Sequence, residues 1–144
     1  MSEKVLIWLL FEQEGAVLLT RRKNDEPPFA GQWVLPGDIM EIEESASETV
    51  QRFGREELDV RVGAEEFIDT FYLTERETSY AVTVFKAVSF EGHLHYRESG
   101  PYAEARWCLP ADLPSPIPEA LAEMLGGKRH WRSDDEEPAA GSTI

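Results

Sequence analysis

Cysteine is almost absent from this sequence: Cys108 is the only one. A single thiol excludes an intrachain disulfide and a cysteine-built zinc cage, and it suits an intracellular, reducing compartment, so a cytoplasmic location is expected. Basic residues are scarce too. Lys and Arg number 14 against 28 Asp and Glu, a net charge of −14. That balance repels nucleic-acid phosphates and anionic membrane surfaces, so neither is an expected partner, and an anionic substrate has to arrive with a cation. Long apolar runs are lacking as well. Val5 to Phe11 is too short to span a bilayer, only Lys4 precedes it and no small-residue cleavage site follows, so it reads as a buried strand. The three histidines, His93, His95 and His130, share no zinc-ligand spacing. No internal repeat is visible.

What is present suffices for a folded unit. With 42% hydrophobic residues in 144, a single globular domain is expected over 1–132. Residues 133–144 carry Asp134, Asp135, Glu136 and Glu137 without Lys or Arg, and read as a disordered acidic tail.

Along the chain, the first apolar run turns at Glu12-Gln13-Glu14-Gly15 into Ala16–Thr20, which predicts a β-hairpin. Arg21 to Pro28 is a charged, proline-closed loop, and Gln32–Leu35 a short strand ended by Pro36-Gly37. Ser45 and Glu48 make a capping box, so a helix should start near Ala46 and end near Leu58-Asp59. Phe67–Leu73 and Tyr80–Val88 predict a second antiparallel pair about Glu75-Arg76-Glu77, and Ala105–Leu109 a further strand that holds Cys108 as a small core residue. A second helix is expected from Pro118 to Leu125, closed by Gly126-Gly127.

Acidic residues crowd one stretch. Between Asp38 and Asp59 lie eight acids and only two bases, Arg52 and Arg55. Glu56 and Glu57 are adjacent on one helical turn, Arg52 stands one turn before Glu56, and Glu44 lies in the loop leading into the helix. Oxygen ligands from a loop and a helix suit Mg²⁺ or Mn²⁺, with substrate phosphates and water completing the shell. Charge alone does not separate this reading from a solvated acidic helix face.

The surrounding residues do. Gly31-Gln32-Trp33-Val34-Leu35-Pro36-Gly37, followed by Glu44, Arg52, Glu56 and Glu57, resembles the Nudix hydrolases, whose box reads G-x5-E-x7-R-E-U-x-E-E-x-G-U with U a bulky apolar residue. Glu44, Arg52, Glu56, Glu57 and Val60 agree with the box, whereas Asp38, Phe53, Gly54 and Asp59 depart from it. More diffusely the resemblance extends over residues 4–126.

The resemblance implies an α/β/α sandwich with a mixed sheet between two helices, and a metal-dependent hydrolase of a diphosphate linkage in a small-molecule nucleoside diphosphate derivative. It implies Glu56 and Glu57 as metal ligands, Gly37 lending its carbonyl, Glu44 supporting loop or metal, and Arg52 orienting the carboxylates. Phe53 stands where the family places a further helix carboxylate, as ligand or base. Arg21 and Arg22 are candidates for holding phosphate, Trp33 and Phe29 for stacking on a base, with packing against the sheet the alternative for Trp33, and Glu98 or Glu104 for a base on the 89–104 segment. A homodimer is compatible with all of this. The second reading, carried by Phe53, is a catalytically impaired nucleotide-binding or regulatory protein of the same fold.

Overall fold

The computed structural model describes residues 2–127 and Trp131. The tail at 133–144 and His130 lie outside the described residues. In chain order the elements are β1 (Ser2–Leu10), β2 (Glu12–Gln13), β3 (Ala16–Arg22), β4 (Trp33–Val34), β5 (Gly37–Ile39), α1 (Ala46–Leu58), β6 (Arg61–Glu75), β7 (Thr78–Glu91), β8 (Tyr102–Cys108) and α2 (Glu119–Gly126).

The strands form two sheets. One is mixed, in the order β5-β1-β7-β6, with β1 parallel to β7 and antiparallel to β5. The other is antiparallel and centred on β3, which pairs with β2, β4 and β8. β1 explains the layering. Its odd residues Ile7 and Leu9 join Val50, Phe53 and Leu58 of α1, while its even residues Leu6, Trp8 and Leu10 join Leu121, Met124 and Leu125 of α2. A strand buried on both faces reads as a continuous apolar run, and each helix covers one face. No helix among the described residues is long and apolar enough to cross a membrane.

Three expectations need correction. The first hairpin is limited to Glu12–Gln13 against Ala16–Val17 around Glu14 (φ 53°) and Gly15 (φ 84°), because β1 takes its partners in the other sheet. Arg21 and Arg22, expected in a loop, instead close β3 and pair with β8. Beyond the strand that ends before Pro36-Gly37 as expected, a further one, β5, starts at Gly37 and pairs with β1. The last strand begins at Tyr102, earlier than the expected Ala105. The long β6–β7 hairpin has the expected antiparallel pairing but extends well past both apolar runs.

The two sheets are also joined by a buried ion pair. Lys86 of β7 lies 3.0 Å from Glu12 of β2, with side chains only 15% and 5% exposed. Removing one charge from such a pair is costly, so Lys86→Met is expected to lower unfolding free energy by about 3–5 kcal/mol in urea titrations. A change within about 0.5 kcal/mol would show that the pair is solvated and structurally idle.

Candidate active site

Gly37 opens the site. Opposite Trp8 on β1, it sits so close that a Cβ would lie 1.9 Å from the Ile7 carbonyl oxygen and 2.8 Å from Trp8 Cδ1. Only glycine fits there. Its N–H donates to the Tyr102 hydroxyl (3.0 Å), and that hydroxyl donates to Glu57 Oε1 (2.8 Å) and lies 3.2 Å from the Gly37 carbonyl oxygen. A loop carbonyl and a helix carboxylate twenty positions apart thus meet around one phenol.

Burial pushes the Glu57 carboxyl up from its ordinary 4.5 to about 7, and the neighbouring Asp38 charge adds to this, against the opposing influence of Tyr102, Arg22 and Arg52. The phenol itself is held far above its usual range by burial and by Glu57, so it remains an O–H donor. A half-buried carboxylate beside a second carboxylate is a place that a cation stabilises.

Arg52 is engaged elsewhere. Its guanidinium grips Glu44 through Nε (2.7 Å) and Nη2 (3.1 Å), Asp38 through Nη1 (2.9 Å) and the Ile39 carbonyl through Nη2 (3.1 Å). Glu44 also accepts from the Glu41 amide (3.0 Å) and the Thr49 hydroxyl (2.8 Å). These bonds, that from Arg52 foremost, hold its carboxyl down at about 2. Glu44 therefore braces the loop into α1, its oxygens taken up by that work. Arg52 ties α1 to β5 and makes no hydrogen bond to Glu56 or Glu57 in the network described.

The rest of α1 shows how the altered box folds. Ser45 Oγ accepts from the Glu48 amide (3.0 Å) while Glu48 accepts from the Ser45 amide (2.8 Å), as the capping box predicts. Phe53 is fully buried among Ile7, Leu9 and Val50, and Gly54 is buried against Val60 and Val62. Bulk that the box pattern places at 54 stands at 53 instead, and a Cβ at 54 would meet Val60 and Val62 at 3.4–3.8 Å. Asp59, in place of the box glycine, caps the helix in the left-handed region (φ 63°), which aspartate tolerates better than most residues. Glu56 is exposed, its carbonyl accepting from Arg97.

The other sequence candidates divide. Arg22 is held by the Glu26 and Pro27 carbonyls (3.1 and 3.0 Å) and lies 6.0 Å from the Tyr102 ring centroid, so it borders the site. Arg21 pairs with Glu104 (3.3 Å), which also binds Arg106 (3.2 Å). Glu98 is exposed, with its backbone carbonyl held by Lys23 (2.6 Å). Phe29, a candidate for stacking on a base, is instead a core residue at 5% exposure, and Trp33, at 3%, packs in the core, the alternative reading of that residue. Phe29 packs on Trp8 and Tyr80, and Trp33 lies under the Arg106 guanidinium at 4.6 Å. The 550 Å³ cavity that Phe29 lines also carries Glu75, Glu119 and Glu123, which disfavour a phosphate. Cys108 is buried, as expected for a core thiol. Tyr102 was not legible from sequence. Its only local signal is an aromatic residue after Gly100-Pro101, and its meaning comes from the fold.

The oxygen donors brought together here are Glu57 and the Gly37 carbonyl, while no described contact places the Glu56 carboxylate with them. Among the described residues no three Asp, Glu, His or Cys side chains group so as to hold an ion by themselves. The donor set is nevertheless all oxygen, which suits Mg²⁺ or Mn²⁺ bound together with phosphate oxygens.

The Arg52 network makes acid sensitivity testable. Because Glu44 titrates at about 2 when folded and near 4.5 ordinarily, its stabilisation is complete above pH 4.5 and is lost as pH falls toward 2. Glu44→Gln should lower the urea midpoint at pH 7 and flatten its decline between pH 5 and pH 2. An unchanged decline in the variant would remove Glu44 from this role.

Nucleoside triphosphatase NudI of Escherichia coli O139:H28 (strain E24377A / ETEC) is 28% identical over 124 residues, covering 78% of this chain and 86% of NudI. Among solved structures, a MutT NUDIX hydrolase from Burkholderia pseudomallei superposes with a TM-score of 0.78 at 24% identity, over 88% of this chain and 98% of that one. The E. coli ORF135 protein gives 0.70 at 22% identity, over 88% of each chain. Both share the mixed sheet between two helices. Residues 2–126, most of the chain, match the NUDIX domain, and the chain belongs to that family.

Proposed function

We propose that this chain is a divalent-cation-dependent hydrolase of the diphosphate linkage in nucleoside diphosphate derivatives, nucleoside triphosphates among them. The observation that carries the reading is the Gly37–Tyr102–Glu57 assembly, a loop carbonyl and a half-buried carboxylate brought together beside Asp38. The NudI relatives are named nucleoside triphosphatases, which makes nucleoside triphosphates the first substrates to try.

A bound Mg²⁺ or Mn²⁺ supplies Lewis-acid polarisation of the phosphoryl oxygens and a more acidic water. Glu57, Glu56 and the Gly37 carbonyl would hold it. Arg22, fixed by two loop carbonyls beside Tyr102, offers a guanidinium to a substrate phosphate. Arg52 and Glu44 keep the loop and helix in register. Of the two carboxylates considered as base, Glu104 is paired with Arg106 and Arg21, which hold its carboxyl below the usual range and weaken it as a base. Water adds to phosphorus as the bridging P–O bond breaks, and the base takes its proton.

Phe53 favours the second reading, a nucleotide-binding protein without turnover, since a buried ring stands where the family has a carboxylate. Loss of one acid–base group costs about 10²–10⁴ in rate, less than the ~10⁶ or more that enzymes supply, so slow catalysis is the expectation. A Mg²⁺ and Mn²⁺ screen of nucleoside triphosphates, nucleoside diphosphate sugars and dinucleotides decides it, with calorimetry of metal binding alongside. The wild type should bind metal and turn over, and Glu56→Gln/Glu57→Gln should do neither. Metal and nucleotide binding without hydrolysis would favour the second reading. Equal metal binding by both proteins would contradict the site.

A further inference from the structure

We propose that Tyr102 is the positioning residue of this site, fixing the Gly37 loop and choosing which Glu57 oxygen is presented to a cation; this rests on the reading above. The phenol is 1% exposed, and its ring is packed in the cluster that contains Phe53, Ile7 and Leu9. Its place depends on a strand irregularity. Arg21 pairs with Glu104 and Arg22 with Tyr102, so Ala103 is an extra residue in β8, and its carbonyl accepts from the Tyr96 hydroxyl (3.3 Å). Such a bulge re-aims the neighbouring side chain, here inward toward Gly37.

A phenol has one proton and accepts with its oxygen lone pairs. The Gly37 N–H reaches the hydroxyl oxygen at 3.0 Å, and the one proton goes to Glu57 Oε1 at 2.8 Å, the nearer of its two acceptors, since the Gly37 carbonyl oxygen is at 3.2 Å. Glu57 Oε1 is thereby assigned to the protein, and Oε2 is the oxygen left to a cation. The same hydroxyl touches Gly37 at both its N–H and its carbonyl, which sets the direction of that carbonyl. Phe53 cannot donate a carboxylate, so the alignment of these two oxygen donors rests on Tyr102 more heavily than in a site with three helix carboxylates.

Tyr102→Phe removes the hydroxyl and keeps the ring. Mn²⁺ binding by the full-length chain, followed by electron paramagnetic resonance of unbound Mn²⁺, should weaken about 10-fold or more, the usual size of an outer-shell effect. If turnover is measured, the Mn²⁺ concentration for half-maximal rate should rise while kcat at saturating Mn²⁺ changes less. Val50→Ala, a truncation in the same core cluster, controls for simple destabilisation and should leave Mn²⁺ affinity unaltered. Three results overturn the proposal. Wild-type protein that binds no Mn²⁺ defeats the functional reading and this inference together. Equal affinity in wild type and Tyr102→Phe defeats this inference alone, as does an equal loss in Val50→Ala.

Discussion

The candidate site depends on the approach of Gly37 to β1. With 1.9 Å between a hypothetical Cβ and the Ile7 carbonyl oxygen, no side chain can stand there without opening the β1–β5 pairing. That pairing sets the position of Asp38, whose carboxylate holds Arg52, and Arg52 in turn holds Glu44 and so the entry to α1. One close backbone contact therefore fixes the strand, the loop and the helix whose ends carry the chemistry. The pairing itself rests on β1, which is buried on both faces and anchors each helix through alternate residues.

Core and site are one structure along α1. The helix presents Val50, Phe53 and Leu58 to β1 while Glu57, one turn after Phe53, reaches Tyr102. Exchanging a carboxylate for Phe53 adds an apolar contact worth about 1.5–3 kcal/mol on burial, and glycine at 54 returns about 1 kcal/mol of it. The gain comes where the family pattern spends a residue on the reaction, which is the ordinary form of a trade between stability and activity.

How much was legible in the sequence follows from how local each signal is. α1 could be read to the residue because its start is a reciprocal Ser45–Glu48 bond and its apolar spacing is short-range. The second hairpin was legible for the same reason, two β-rich runs about a charged turn. The partners of β1 were not, because its continuous apolar run signals burial on both faces without naming the neighbouring strand, and β7 pairs with it 76 positions later. Gly37, Glu57 and Arg52 were visible as a pattern, but the bonds that Arg52 makes were not. Tyr102 depends on a bulge and on a neighbour 65 positions away, so no window of sequence could reveal it. Phe29 was a candidate for a binding surface because an aromatic residue near a phosphate site suits stacking, and the two-sided core claimed it instead, as the packing alternative anticipated for Trp33.

The central claim is that Gly37 and Glu57 together receive a divalent cation. Crystals grown with Mn²⁺ and a non-hydrolysable nucleoside triphosphate analogue test it directly, since manganese marks its own position by anomalous scattering. A peak is expected within liganding distance of the Gly37 carbonyl and Glu57 Oε2, with analogue phosphate oxygens in its shell and Tyr102 still bonded to Oε1. A peak held only by other residues, or bound analogue with no metal at Glu57, would contradict it.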